Sequence, residues 1–381
     1  FHLRNYYDAY QDALAAERMM TKKKDGAYYY YLGRIYQTLK KVDSAKIYYA
    51  ISREKLGPRI SKDYELDILI DQCEFVKNES KKGIVYICEP FSRAVNTKYD
   101  EYGAILIYNK KRLLFTARQP ETTGSNINYD DQKFFEDIYS AHWDEQKKDW
   151  KVDIESMEEY NTEGFDALSF ISRNGKYGLI TINTSASVEK STASSEIYEF
   201  EADDEDSSWY IDPLKSESIN TSYFEGSATI SDTSFDEDET ATQTMVFVSD
   251  RKSDKSLTDL YTAQRIDDKW GEARALVSVN TLGRETTPFI TGDGKFLFFS
   301  SDALPGMGGY DVYYSEWVNN KWSTPSNLGA AINTVHDDTH FQYFPEYNMA
   351  TVSSVSDFNG YFSYDIFKID LSNSGFPFLK K

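Results

Sequence analysis

One dipeptide constrains this chain more than any other feature. Asn-Thr occurs at 96, 161, 220, 280 and 333, each time behind an apolar or aromatic residue (Val95, Tyr160, Ile219, Val279, Ile332), at separations of 65, 59, 60 and 53. An acid-aliphatic-aromatic triplet keeps the same phase, at Asp137-Ile138-Tyr139, Glu196-Ile197-Tyr198, Asp259-Leu260-Tyr261, Asp311-Val312-Tyr313 and Asp365-Ile366-Phe367. Between each Asn-Thr and its triplet lies an apolar run: Leu113 to Ala117, Tyr177 to Ile182, Met245 to Ser249, Phe296 to Ser300 and Met349 to Ser353. Turn signals precede four of these runs, at Asn109-Lys110, Asn174-Gly175, Asp293-Gly294 and Asn348, and the third copy carries an acidic insertion from Asp232 to Thr240. Five copies of one strand-rich unit mean a repeat architecture.

After the triplet, four copies place a Trp (Trp150, Trp209, Trp270, Trp322), whereas the last copy ends at Asp370 with three strands. The missing strand stands at the other end of the region. Ile84 to Cys88 is followed by Glu89 to Thr97, which parallels Thr324 to Thr334 of the fourth copy. The expectation is a five-bladed β-propeller of four strands per blade, whose seam sets Ile84 to Thr97 against Asp338 to Asp370. A ring closed in this way leaves no open sheet edge at its ends.

Residues 1–80 have helical spacing instead. Tyr6, Tyr10, Ala13, Leu14 and Ala16 mark one face; Tyr29, Leu32, Gly33, Tyr36 and Leu39 mark the next; Ala45, Tyr48 and Tyr49 mark a third. Tyr29-x-x-Leu32-Gly33-x-x-Tyr36, with Ala45-x-x-x-Tyr49 and Pro58, sits at the offsets of the 34-residue tetratricopeptide repeat. Ala9, Ala13 and Ala16 fit the end of a preceding repeat, and Ser61 to Lys77 the start of a following one. The array thus begins in mid-repeat, which implies helices before Phe1 or another surface over that end. The domain reading is 1–80 tetratricopeptide-like helical hairpins, 81–370 propeller and 371–381 tail or linker, an α+β multidomain chain with an all-α part followed by an all-β part.

The fourth blade carries a family resemblance. Pro288 to Asp302, Gly308-Gly309-Tyr310-Asp311-Val312-Tyr313 and Lys321-Trp322-Ser323-Thr324-Pro325-x-Asn327-Leu328-Gly329 resemble the TolB-like, WD-type propeller repeat. A tetratricopeptide segment ahead of such a propeller resembles the OmpA-family outer-membrane proteins of Bacteroidota associated with type IX secretion and gliding. The resemblance implies a periplasmic, outer-membrane-associated scaffold. The family's peptidoglycan-gripping carboxy-terminal domain has no counterpart before Lys381.

Composition removes several function classes. With 62 acidic against 42 basic residues, the net charge of −20 repels phosphate backbones and anionic lipid surfaces, so nucleic acid is not an expected partner. No run of about 18 apolar residues is present to span a bilayer. The chain has no initiator Met, leader or lipidation Cys at Phe1, and reads as a trimmed product. Cys73 and Cys88 read as two buried thiols rather than a disulfide framework.

No catalytic residue, cofactor or metal site is assigned. The repeated acids at 137, 196, 259, 311 and 365 read as structural, tying down turns through backbone N–H groups, as do the repeated asparagines at 96, 161, 220, 280 and 333. His336 and His340, with Asp337 and Asp338 between, suit a metal on a helix but sit about 13 Å apart on a strand. The acidic runs 201–206 and 236–239 read as solvated loops rather than calcium sites. Gly306-Met307-Gly308-Gly309 lacks the Lys and Ser/Thr of a phosphate loop and reads as turn residues. Tyr29, Tyr30 and Tyr36 are the candidates for partner contact.

The functional expectation is a non-enzymatic periplasmic scaffold that docks an outer-membrane or secreted protein complex, with peptidoglycan reached through a further domain. Two alternatives belong to other classes: a periplasmic glycan-active enzyme, which needs an asymmetric acid pair at the propeller mouth about 5 to 10 Å apart, and a small-ligand or peptide sensor.

Overall fold

The computed structural model describes residues 6–19, 24–81, 87–107, 111–129, 131–172, 174–183, 195–203, 208–231, 243–251, 257–266, 269–358, 360–372 and 376. Four helices, Tyr6–Met19 (α1), Gly26–Thr38 (α2), Val42–Asp63 (α3) and Leu66–Glu79 (α4), precede five sheets. Ile87–Pro90 (β1) comes first along the strand region. The first sheet is Asp100–Ile107 (β2), Arg112–Arg118 (β3), Asp137–Asp144 (β4) and Asp149–Asp153 (β5). The second is Phe165–Ile171 (β6), Tyr177–Asn183 (β7), Glu196–Ala202 (β8) and Trp209–Pro213 (β9). The third is Glu225–Ile230 (β10), Gln243–Ser249 (β11) and Asp259–Ile266 (β12), with a split outer strand, Lys269–Trp270 (β13) and Arg274–Ala275 (β14). The fourth repeats that plan with Glu285–Ile290 (β15), Phe296–Ser301 (β16), Asp311–Val318 (β17), Lys321–Trp322 (β18) and Ser326–Asn327 (β19).

The fifth sheet contains Asp338–Phe344 (β20), Met349–Ser356 (β21) and Ser363–Asp370 (β22), and its outermost strand is β1, antiparallel to β22 from Ile87 opposite Asp370 to Pro90 opposite Phe367. The expected seam strand began at Ile84; residues 82–86 lie outside the described residues. The first strands β2, β6, β10, β15 and β20 each touch the next around a ring, β20 returning to β2, so the architecture is a five-bladed β-propeller. Middle strands such as β3 are buried on both faces, because each blade stacks on two neighbours, and they read as continuous apolar runs rather than alternating ones.

The helices hold a small core of their own, Ala45, Tyr49, Leu66, Leu69 and Cys73. Asp25 caps α2, accepting from the Tyr28 N–H at 2.9 Å. A Cβ on Gly33 would fall 2.4 Å from the Tyr49 ring, so only glycine lets α2 and α3 approach this closely. Gly57 at φ 75° interrupts α3 before Pro58, and the chain coils on to Asp63. The following helix therefore starts at Leu66, not at the expected Ser61.

The helical layer is bound to the propeller. The side-chain amides of Gln37 and Gln72 donate to the backbone carbonyls of Met307 (3.4 Å) and Gly308 (2.6 Å), and Gln37 also donates to Gln72 (3.1 Å). Tyr6 stacks against His336 and meets Phe362 edge-on. The glycines of the 306–309 loop pack against the propeller's own chain: a Cβ on Gly308 would lie 2.3 Å from the Val335 backbone, and one on Gly309 2.0 Å from Asp337 Oδ1.

Two expectations need correction. Cys73 is buried, but Cys88 is exposed on β1, the outermost strand of its blade. The segment expected as a tail from 371 sends Leu371 and Phe376 into the apolar core shared by the fourth and fifth blades, alongside Phe298, Phe341 and Ile369. Burying large apolar side chains outweighs the chain entropy lost there.

Candidate functional site

The axis of the ring is built by one repeated irregularity. Every first strand carries a β-bulge in its pairing with the second strand, between Tyr102 and Ile105, Leu168 and Phe170, Gly226 and Thr229, Thr286 and Phe289, and Thr339 and Gln342. Four bulges hold a residue in the left-handed region: Gly103, Ser227, Thr287 and His340. A bulge frees backbone N–H groups from the ladder, and hydroxyls of adjacent blades accept them. Gly103 donates to Ser353 Oγ (3.2 Å), Leu168 to Thr116 Oγ1 (3.0 Å), Ser227 to Thr181 Oγ1 (2.9 Å) and His340 to Thr287 Oγ1 (3.2 Å).

These bulges converge on a cavity of about 10 Å³, lined by Gly103, Ser169, Ser227, Thr287, His340 and Gln342 among others. That is room for about one water molecule. His340, packed against the Tyr102 ring at 5.0 Å, is pushed down to about 4 by burial, so its imidazole is neutral. No carboxylate lines this cavity among the described residues. A larger groove of about 290 Å³ lies on the rim of the fifth blade, where Glu89 pairs with Lys368 at 3.0 Å.

The carboxylates lie instead at the blade junctions, in two fivefold sets. In the first set, the residue four beyond each Asn-Thr threonine is an acid that opens or nearly opens the first strand: Glu101, Asp166, Glu225, Glu285 and Asp338. In each, the threonine N–H donates to the carboxylate, as from Thr162 to Asp166 at 2.7 Å and from Thr281 to Glu285 at 3.0 Å, and the threonine hydroxyl bonds it as well. This Thr-x-x-x-acid pattern was legible in the sequence and is absent from the expectations above.

The second set is the triplet acids. Thr123 caps Asp137 through its N–H (2.7 Å) and hydroxyl (2.9 Å); the Met307 N–H donates to Asp311 (2.5 Å); Ser356 bonds Asp365. Glu196 and Asp259 open β8 and β12. The two sets meet because the first-strand acid's own N–H reaches the carbonyl just before the triplet acid of the previous blade, Asp166 to Glu136, Glu225 to Ser195, Glu285 to Thr258 and Asp338 to Tyr310.

The repeated asparagines lie at the same junctions. Each takes the place of a strand neighbour for the aliphatic member of a triplet: the side chain accepts from its N–H and donates to its C=O. The pairs are Asn96 with Ile366, Asn161 with Ile138, Asn220 with Ile197, Asn280 with Leu260 and Asn333 with Val312, at 2.8–3.0 Å throughout.

Burial governs the charge state of these acids. It lifts Glu101 to about 8 and Asp166, Asp338 and Asp365 to about 7, against the opposing pull of their hydroxyl and backbone donors, and also raises Asp137, Glu285 and Asp311. Glu225 alone of the first set has a guanidinium partner among the described residues, Arg251 at 3.0 Å, whose cation also lies 4.8 Å over the Tyr261 ring. His336 packs on Tyr6 and Phe362 while His340 faces the axis, so the structure does not bring the two histidines to one site. Asp203 is described, whereas 204–207 and 232–242 lie outside the described residues.

The three tyrosine candidates separate. Tyr30 packs among Tyr49, Tyr64 and Tyr31, and its hydroxyl accepts from Arg34, whereas Tyr29 and Tyr36 both meet Tyr48.

No family profile matches the chain, and no curated protein matches it. Among solved structures it is similar to a Mycobacterium tuberculosis puromycin-hydrolyzing peptidase (9% identity, TM-score 0.29, covering 74% of this chain and 39% of that one). It is also similar to the polysaccharide lyase Uly1 (7%, TM-score 0.33, 70% and 56%) and to a B. megaterium levansucrase variant (10%, TM-score 0.37, 74% and 81%). The chain thus spans 39% and 56% of the lengths of the first two. Likenesses this remote carry no chemistry across.

Proposed function

We propose that this chain is a non-enzymatic scaffold of the periplasm, associated with the outer membrane, whose helical layer and propeller together present rigid surfaces to an outer-membrane or secreted protein complex. The observation that carries this reading is the engagement of the axial and junction groups. The bulge N–H groups are held by hydroxyls of neighbouring blades, and first-strand acids from all five blades are bonded by threonines at the turns they close. Groups locked this way position sheets and are poorly placed to move protons for a substrate. The envelope location and the link to peptidoglycan through a further domain rest on the resemblance of Pro288 to Gly329 to the TolB-like repeat, and on tetratricopeptide-like spacing in residues 29 to 58.

Affinity capture from native membranes in mild detergent, with the whole chain as bait, tests the reading. An outer-membrane complex is the expected catch, and recovery of none counts against it. Turnover of periplasmic glycans or peptides that Asp166→Asn or Asp338→Asn abolishes, in a variant that still folds, would replace the scaffold with an enzyme.

A further inference from the structure

The helical layer spends one face on the propeller and keeps another with a different chemistry. Gln37 and Gln72 point at the propeller loop. On a separate face of α2, five half-buried tyrosines form a continuous ladder across three helices: Tyr28 to Tyr29 (5.4 Å between rings), Tyr29 to Tyr48 (6.3 Å), Tyr48 to Tyr36 (5.1 Å) and Tyr36 to Tyr10 (5.6 Å). Three lysines stand over it. Lys24 lies 5.3 Å from the Tyr28 ring, Lys55 5.3 Å from Tyr29, and Lys41 5.8 Å from Tyr36 and 5.5 Å from Tyr10. Ile47, beside Tyr48 on α3, is 60% exposed.

The charge around this ladder opposes that of the rest of the chain. Residues 1–80 hold fourteen Lys and Arg against twelve Asp and Glu, and residues 81–381 hold 28 against 50. We propose that the Tyr28–Tyr29–Tyr48–Tyr36–Tyr10 ladder with Lys24, Lys41 and Lys55 is a docking surface for an extended acidic peptide segment of a partner protein. This deepens the scaffold reading and rests on it. The lysines supply charge complementarity along a line, and the ring faces between them accept apolar or aromatic side chains of the same segment. A narrow strand fits where a broad anionic surface does not, because a membrane or a polynucleotide brought to this face also meets the field of the acidic propeller.

The test is fluorescence anisotropy of a short labelled Glu/Asp/Phe peptide with the whole chain, beside a Lys/Phe counterpart and phosphatidylserine-containing vesicles. Selective binding of the acidic peptide is expected. It should weaken about tenfold or more between 50 and 300 mM salt, and by a similar factor in the triple variant Lys24→Glu, Lys41→Glu, Lys55→Glu, whose helix content by circular dichroism should be unchanged. Equal binding of the basic peptide, preference for the vesicles, or triple-variant affinity within twofold of the parent overturns the proposal. Membrane capture repeated with the triple variant separates the two claims. If the complex is still captured, docking stands and this surface falls; if the peptide binds yet the parent chain captures nothing, the surface stands and the scaffold reading falls.

Discussion

Asn96 and Ile366, separated by 270 positions in the chain, exchange two hydrogen bonds of 2.9 Å, the Ile366 N–H donating to Asn96 Oδ1 and Asn96 Nδ2 donating to the Ile366 carbonyl. The same clip joins neighbouring blades at the four other junctions, but there it spans only 20 to 23 positions. At the seam the bonded residues are far apart in sequence, so the ring there is closed by noncovalent contacts, among them this clip, the β1–β22 ladder and the shared apolar core.

Asn96→Ala strands the N–H of Ile366 in a buried seam, while the Ile366 carbonyl keeps the Phe91 N–H at 2.8 Å, at a cost of about 1 to 3 kcal/mol. Thermal melting should place this variant below Asn161→Ala, and hydrogen exchange should quicken first at Ile87–Pro90. Equal melting temperatures for the two variants would mean that the seam carries no special strain.

Stability should fall as the solution becomes alkaline. Glu101 at about 8, and Asp166, Asp338 and Asp365 at about 7, are raised above the unfolded carboxyl range near 4. Their contribution is complete below that range and is lost as pH rises through 7 to 8. His340, lowered to about 4, works in the opposite sense, its contribution present above about 6.5 and lost as pH falls toward 4. Four acids outweigh one histidine, so the melting temperature should be higher at pH 6 than at pH 9, and Glu101→Gln should flatten the slope. A melting temperature that climbs from pH 6 to pH 9 contradicts this account.

The propeller loop that receives the helices should be sensitive at Gly308. Alanine there drives a Cβ to 2.3 Å from the Val335 backbone, which cannot yield as a side chain can, and overpacking of this kind costs about 1 to 3 kcal/mol. Gln72→Leu removes the donor to the Gly308 carbonyl without adding bulk. Both variants should speed hydrogen exchange at Met307 to Gly309, and protection equal to the parent in Gln72→Leu would show that the helices contribute nothing there.

Phe376 should behave as a core residue. It is 7% exposed among Phe298, Phe341 and Leu371, and Phe376→Ala is expected to cost about 3 to 5 kcal/mol in urea unfolding. A loss below about 0.5 kcal/mol, the range of ordinary surface positions, would return this segment to a tail.

Much of the fold was legible because a propeller repeats its sequence as it repeats its blades. The Asn-Thr pairs and the triplets were visible separately; that Asn161 bonds Ile138, and Asn96 bonds Ile366, was not, since partners across a junction carry no mark of each other. The first-strand acids are not evident from strand periodicity, although Thr97 and Glu101, or Thr334 and Asp338, show the same spacing, because an acid at the end of a turn belongs to no apolar run. Gly306 to Gly309 do bend the chain before β17, as the sequence suggests, but the close approach of Asp311, Val335 and Asp337 that requires glycine there carries no mark in the sequence. Phe376 looked like tail because a single aromatic beyond the last repeat has no periodicity to read.

From the amino-acid order alone came the number of blades, the strand runs that compose them and the helical character of the first eighty residues, since hydrophobic period and repeat length are local properties that survive in one dimension. Only the folded ring decided that the axis closes to a cavity the size of a water, that the first-strand acids are buried at the blade junctions, and that one helical face is spent on the propeller. Those facts depend on atoms brought together from distant positions, and on the loss of water that burial imposes on them.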